Sequence, residues 1–468
     1  MYEVKPSELA RPRVALEIDL ARIRANFRAI ARKVHPLHVM AVLKANAYGL
    51  GLRPIAEGLR AAGVHSIGVA ELREAQAILD MGVPVQILGG LIPEEVPAVV
   101  AHGIVAPITD LSLAQLLSAE AVRQGREVEC HFKIDTGMGR MGLRHEEAFE
   151  VICQVIGLPG LRCSGIYSHF PSAYCDYPYS QHQMHVFREL LAALAERGIT
   201  FTWVHMANSD GINNLPPSCR SPFNLARTGI NLYGVFDTEG QQSLELRPAL
   251  AMKTRLVAVR PLPASATIGY GRTYKLPKAT RIGTIAIGYA DGLPLAMSNC
   301  GHVMLHGHLC PIVGRISMDY TTINVDEVPE AKIGDEVTCL GDRITVADWA
   351  RYKGTIPYEI ICAIGNRVMR RYVDDELPVD QAAAVAAVPA RAPAREGAAV
   401  PAPAGTFTAA AADPAPAAAT VAAPAPVAAA RSAPTGPAMA VPVLSTIQAA
   451  PAEPRSLFMR TRKGAGAV

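Results

Sequence analysis

The sequence contains no C-x-x-C pair, and its nine cysteines are an odd number that cannot all be bridged. That pattern leads us to expect reduced thiols, several of them core residues. No stretch reaches the roughly 18 uncharged apolar residues of a membrane span. The alanine-rich tail comes nearest in composition, but prolines punctuate it throughout. The opening MYEVKPSELARPRVALEIDLARIRANF is interrupted by charges every few residues, so it offers no apolar segment for a signal peptide. A cytoplasmic protein without a membrane partner is expected. An excess of basic charge is missing too. Seven of the 45 Lys/Arg and four of the 42 Asp/Glu lie beyond residue 378, which leaves 38 of each in the body. The net charge of +3 therefore resides in the tail. A neutral body lacks the basic patch that phosphate neutralisation demands, so no nucleic-acid partner is expected.

What remains is ample for two or three domains, with 468 residues of which 50% are hydrophobic. Residues 1–240 alternate short apolar runs with amphipathic stretches. The runs are HVMAVLKAN, SIGVA, VQILGG, IVAPI, VECHFKID, LRCSGIYSHF, FTWVHMAN and SPFNLARTGI. Between them lie PIAEGLRAAG, ELREAQAILDMG, LAQLLSAEAVRQG, EEAFEVICQVIG and QHQMHVFRELLAALAERG, with apolar residues three and four apart and a closing glycine. Strand–helix alternation implies a parallel sheet, and about eight strands imply a closed (β/α)8 barrel of the TIM type. Residues 241–376 change pattern. MKTRLVAV, RIGTIAIG, HVMLHG, TTINVDEV and DEVTCL are short β-rich runs, with no long amphipathic helix before TIPYEIICAIG. A mostly β domain is expected there. Residues 377–468 are Ala/Pro low complexity, in which proline blocks helix and ladder alike, and are expected to be a disordered tail.

The chemistry begins at Lys44, which ends an apolar run in VMAVLKANAYGLG. A lysine at the carboxyl end of a barrel strand points into the mouth where such folds hold their sites. Partial burial there lowers its pKa and leaves a nucleophilic amine, able to form a Schiff base with a carbonyl cofactor. Further along stand KIDTGMGRMG, SHF, ANSDG, ARTGINLYG, GYGRTY, IGYADG, VGRISMD and IPYEIICAIGNRV. These segments, in this order over residues 13–372, closely resemble the alanine racemase family, the fold-type III enzymes that use pyridoxal 5'-phosphate.

The resemblance implies roles residue by residue. Lys44 is implied to hold the cofactor and to act as the base serving the D-enantiomer, with Tyr270 serving the L-enantiomer. Racemisation removes a proton from one face of the α-carbon and returns it to the other, which two opposed bases accomplish without moving. A free phenol ionises near pH 10, so Tyr270 needs help; His169 is implied to link it to Arg227. Arg227 is implied to face the pyridine nitrogen. A guanidinium cannot accept a hydrogen bond, so that nitrogen must stay unprotonated, which weakens the ring as an electron sink and disfavours transamination. Asn208, Ser209, Gly229 and Ile230 are implied to donate to the phosphate, with Tyr48 and Tyr358 binding it as well. Arg140 is implied to fix the substrate carboxylate, and Lys133 matches a lysine that is carbamylated in some members. Tyr270, Met318 and Asp319 are implied to reach the site of the other subunit in a head-to-tail homodimer. Tyr274, Tyr289 and Asp291 are implied to line a narrow mouth that favours alanine.

The sequence departs from the family in a tyrosine-rich PSAYCDYPYSQ and in Ser317, where cysteine is commoner. GMGRMG also fits the dinucleotide fingerprint, but it has no acidic residue about 20 positions on and sits mid-barrel. A broad-specificity racemase of the same fold and a non-catalytic pyridoxal phosphate homeostasis protein are the competing readings. Absence of an export signal counts against the first, and the β domain carrying Tyr270 against the second. A decarboxylase of the same barrel would pair the ring nitrogen with an acid. No metal is expected.

Overall fold

A computed structural model describes residues 12–374. The low-complexity segment expected to be disordered lies outside the described residues.

The apolar runs of the first half become parallel strands. His38–Val42 pairs with Leu225–Thr228 on one side and with Ser66–Val69 on the other, and Val85–Ile87 completes this arc. A second arc runs Ala106–Ile108, Val128–Asp135, Leu161–Tyr167, Trp203–His205. An isolated parallel bridge, Gln86 to Val105, joins the arcs at one end. At the other end Asn224 N donates to Val204 O at 3.0 Å and Arg227 N to Ala207 O at 3.1 Å. Eight parallel strands thus follow one another around a ring, with two seams thinner than the ladders. Helices fill the crossovers: Leu52–Ala61, Leu72–Gln76, Val96–His102, Leu111–Gln124, Ala148–Val155 and Tyr177–Glu196. Several end in a left-handed glycine, as at Gly103 and Gly125, where the lack of a Cβ removes the cost of positive φ.

All five β-rich runs of the second half are strands. Leu250–Leu262 is their spine, paired antiparallel with Thr280–Ile285 and with Glu336–Leu340. Two features differ from expectation. Val14–Asp19, counted above with the barrel domain, pairs antiparallel with Leu250–Leu262 and parallel with Met369–Val373. Among the described residues this strand pairs with the C-terminal sheet, so Val14–Asp19 belongs to that sheet and not to the barrel strands. A further helix, Val346–Lys353, precedes Pro357–Cys362. Its start is a capping box: Thr345 Oγ1 accepts from Asp348 N, and the Asp348 carboxylate accepts from Thr345 N. From the sheet the chain enters Leu20–Val34, capped by Asp19, whose carboxylate accepts from Arg22 N at 2.8 Å. Ile23, Phe27, Ile30 and Val34 recur at helical spacing and are buried against the barrel; each such side chain is worth about 1.5–3 kcal/mol.

Candidate active site

Lys44 follows the strand His38–Val42, at the carboxyl end of the ring. The next four residues turn the wrong way for L-amino acids. Ala45, Asn46, Ala47 and Tyr48 have φ of 55°, 54°, 54° and 62°, a left-handed turn without a glycine. Such residues normally occur singly. Here the turn is tied down from several sides. Glu74 accepts from Asn46 N at 2.8 Å and, through its other oxygen, from Ala70 N at 2.9 Å. Asn46 Oδ1 accepts from Leu52 N at 2.8 Å, and Tyr233 OH donates to Ala47 O at 3.2 Å. The turn places Lys44 on the mouth side and buries Tyr48 beneath it.

Arg227, in Leu225–Thr228, is only 3% exposed. It donates to His205 Nδ1 at 2.8 Å, to Ser168 O at 2.7 Å, to Met206 O at 3.1 Å and to His169 Nδ1 at 3.2 Å. Because arginine only donates, His169 Nδ1 must accept, which puts the His169 proton on Nε2. Burial, then Arg227 itself, holds the His169 pKa well below the usual histidine value. Burial lowers the Arg227 pKa to about 10, still charged at neutral pH. Lys133, from Val128–Asp135, lies over the Tyr167 ring and donates to Leu88 O at 3.2 Å. Burial, followed by the charges of Arg227, Arg140 and Lys44, drops its pKa to about 7. Lys44 faces the open mouth, yet the surrounding protein and then Arg140 lower its pKa as well.

Arg140 sits on the loop after Val128–Asp135. Asp135 Oδ1 shapes that loop by accepting from Gly137 N at 2.9 Å and Gly139 N at 3.1 Å. Tyr179, from the tyrosine-rich segment, donates to Gly137 O at 2.8 Å. Four cations, Lys44, Lys133, Arg140 and Arg227, therefore act on one another electrostatically. None of them is hydrogen-bonded to a carboxylate among the described residues. Such a cluster calls for anions.

The residues expected at the phosphate also converge. Asn208 Oδ1 accepts from Gly211 N at 2.9 Å, and Ser209 Oγ from Gly229 N at 3.2 Å. A Cβ on Gly229 would stand 2.1 Å from the Tyr48 hydroxyl, so the backbone and that phenol share one small space. Ile230 opens the turn after Gly229, and Tyr358 lies 6.0 Å from the Tyr48 ring, centroid to centroid. Backbone amides, hydroxyls and a glycine in the late barrel loops fit a phosphate, and the exposed Lys44 amine fits an aldehyde. The donor set thus suits pyridoxal phosphate.

The remaining expected residues lie elsewhere. Tyr270 is 72% exposed in a tight turn of the C-terminal sheet region, and Met318 and Tyr289 are exposed on the same domain. Arg367 ties Asp319 at 2.6 Å and Asp291 at 2.7 Å into one acidic pair. Among the described residues none of these groups hydrogen-bonds the barrel cluster. Sequence reading missed Glu74, His131, Tyr167, Tyr179 and His205. Two of them were discoverable from spacing, because His131 and Tyr167 stand two positions before Lys133 and His169, whereas His205 lies on the separate strand Trp203–His205.

Comparison with known proteins agrees with this geometry. The model of the alanine racemase N-terminal domain matches residues 18–237, and that of the alanine racemase C-terminal domain residues 249–372. The alanine racemase of Desulforamulus reducens is 37% identical over 365 residues, 76% of this chain and 98% of that one. That of Desulfovibrio desulfuricans is 38% identical over 364 residues, 76% of this chain and 97% of its own length. The Clostridium difficile alanine racemase structure superposes with a TM-score of 0.73 at 29% identity, covering 78% of this chain and 97% of that one. The Bartonella henselae alanine racemase, solved with covalently bound pyridoxal phosphate, gives 0.70 at 29% identity, covering 78% of this chain and all of its own. The fold is that of a racemase with an α/β barrel and a mostly β C-terminal domain, an isomerase architecture. The chain belongs to the alanine racemase family.

Proposed function

We propose that this chain is the enzyme that interconverts L- and D-alanine with pyridoxal phosphate. The observation that carries the reading is Arg227, buried without an acid beside the cation cluster of Lys44, Lys133 and Arg140. When bound, the cofactor supplies the electron sink that makes the α-proton removable. Lys44 Nζ tethers it and serves one face of the α-carbon; its lowered pKa favours the neutral, basic amine. Tyr270 of the partner subunit serves the opposite face, and its exposure suits a residue that completes a neighbour's site. His169, with Nδ1 committed to Arg227, presents an Nε2–H donor that holds the phenol oxygen. Tyr48, Tyr358, Asn208, Ser209, Gly229 and Ile230 hold the phosphate. Arg140 orients the substrate carboxylate, and Met318 with Asp319 and Tyr289 of the partner subunit walls the site.

The same reading makes the protein a homodimer with shared sites, cytoplasmic, and a source of D-alanine for peptidoglycan. A Lys133 amine with a pKa near 7 is nucleophilic at neutral pH, which favours a carbamate that would neutralise part of the cluster. We place the barrel domain up to residue 240, apart from the strand Val14–Asp19, and the C-terminal domain from residue 241. The test has two arms. The purified protein should exchange the α-proton of both alanine enantiomers for deuterium in D2O, and exchange confined to lysine or arginine would favour the broad-specificity reading. Mixing a Lys44→Ala chain with a Tyr270→Phe chain should restore activity through hybrid sites; verified heterodimers without activity would refute shared sites.

A further inference from the structure

Beneath Arg227 the barrel interior is filled by imidazoles where apolar side chains are usual. Arg227 Nη1 lies 2.8 Å from His205 Nδ1, and His205 Nε2 lies 3.3 Å from His131 Nδ1. Among the described residues His131 Nε2 has no hydrogen-bond partner, and Glu129 Oε1 lies 3.9 Å from it. Both rings are buried, at 0% and 3% exposure.

These distances fix the protons. The guanidinium only donates, so His205 Nδ1 accepts and its ring proton sits on Nε2. That proton points at His131 Nδ1, which therefore accepts and leaves the second proton on His131 Nε2, facing Glu129. A cationic His205 would set two donors against each other at 2.8 Å, and a cationic His131 would do so at 3.3 Å. We propose that Arg227, His205, His131 and Glu129 form one directional polar chain with both imidazoles neutral and protonated on Nε2, making His131 and His205 positioning residues for Arg227. The charged neighbours agree. His205 faces Arg227, Lys133 and His131; His131 faces Glu129 and Arg162. Burial is the main influence on both rings and favours the neutral form.

The fold makes room for the chain. Gly165 stands opposite His131 on the neighbouring strand, and a Cβ there would lie 2.4 Å from the imidazole Cγ. Tyr167 stacks on His205 with centroids 4.8 Å apart and planes 7° apart, which holds the ring edge toward Arg227. Glu129 is itself held by Ser164 and Arg162. Its carboxylate therefore reaches Arg227 only through two oriented dipoles. The guanidinium is steadied without the direct acid partner that would compete with a ligand for its remaining donors.

Neutron diffraction on the deuterated holoenzyme reads the proton positions directly. Deuterium on Nε2 alone in both rings supports the chain; deuterium on His205 Nδ1, or on both nitrogens of either ring, overturns it. This outcome concerns the protein's own protons, so its failure would leave the racemase reading untouched. In solution, His131→Leu removes the acceptor, whereas His131→Asn can place Oδ1 where Nδ1 stood. The leucine variant should lose about 10- to 100-fold in kcat for alanine, the range for groups that orient a site from behind, with KM little changed. The asparagine variant should recover most of it. Equal activity in both variants, whether full or impaired, would overturn the acceptor role of His131.

Discussion

Glu74→Ala tests whether the left-handed turn after Lys44 is held or merely tolerated. Each non-glycine residue in that conformation costs roughly 1–2 kcal/mol, so the run from Ala45 to Tyr48 stores about 4–8 kcal/mol. Glu74 supplies two hydrogen bonds from a charged acceptor, to Asn46 N at 2.8 Å and Ala70 N at 2.9 Å. Bonds to charged groups contribute about 1.5–3 kcal/mol each, and partial exposure of Glu74 favours the lower end. Loss of about 3 kcal/mol is thus expected from the two bonds together, of which only the bond to Asn46 N acts on the turn itself. The turn should relax, which gives back some stability while moving Lys44 and Tyr48. Urea titration should show a loss of about 1–2 kcal/mol, the remainder after relaxation. The larger effect should be on function: a displacement near 1 Å costs on the order of 100-fold in rate. Glu74→Gln keeps one acceptor oxygen and should fall between. An alanine variant with unaltered cofactor absorbance, kcat and urea midpoint would refute the reasoning, because the strain would then be borne by something other than Glu74.

The other expectations can be checked with the same assays. Gly229→Ala should push the Tyr48 hydroxyl from its place, since the new Cβ would stand 2.1 Å from it; cofactor affinity, read by absorbance titration, should drop at least tenfold, and unchanged affinity would contradict the phosphate site. Tyr179→Phe removes the bond to Gly137 O and should raise KM for alanine several-fold with cofactor binding intact. Burial, then Asp237, raises the Asp210 pKa from 3.8 to about 6. The folded state therefore holds more protons than the unfolded one between those values, and stability falls as pH rises through the window. Asp210→Asn should remove that fall, worth at most about 3 kcal/mol, in urea melts compared at pH 4 and pH 7.

Strand–helix alternation was legible because each barrel strand is buried on both faces and reads as a continuous apolar run, with glycine at the close of most helices. All eight expected runs carry a barrel strand. The strand Val14–Asp19 was not assigned to the C-terminal sheet, since its partners Leu250–Leu262 and Met369–Val373 lie hundreds of residues away and pairing leaves no mark on local periodicity. The left-handed turn was equally hidden. Ala-Asn-Ala reads as ordinary helix, and its true conformation is imposed by Glu74, Leu52 and Tyr233 from outside. In the site, motifs identified residues that meet ligand, but not those that meet other residues. His131 and His205 occur in VECHFKID and FTWVHMAN, which read as buried strands where a histidine is an apparent flaw. The flaw is informative once inward positions are aligned: Lys133, Tyr167, His205 and Arg227 come from four successive strands and touch through Tyr167 and the guanidinium. A polar residue tolerated inside a barrel must have a partner there. Its alternation partner two positions away is therefore the first place to seek the rest of a site.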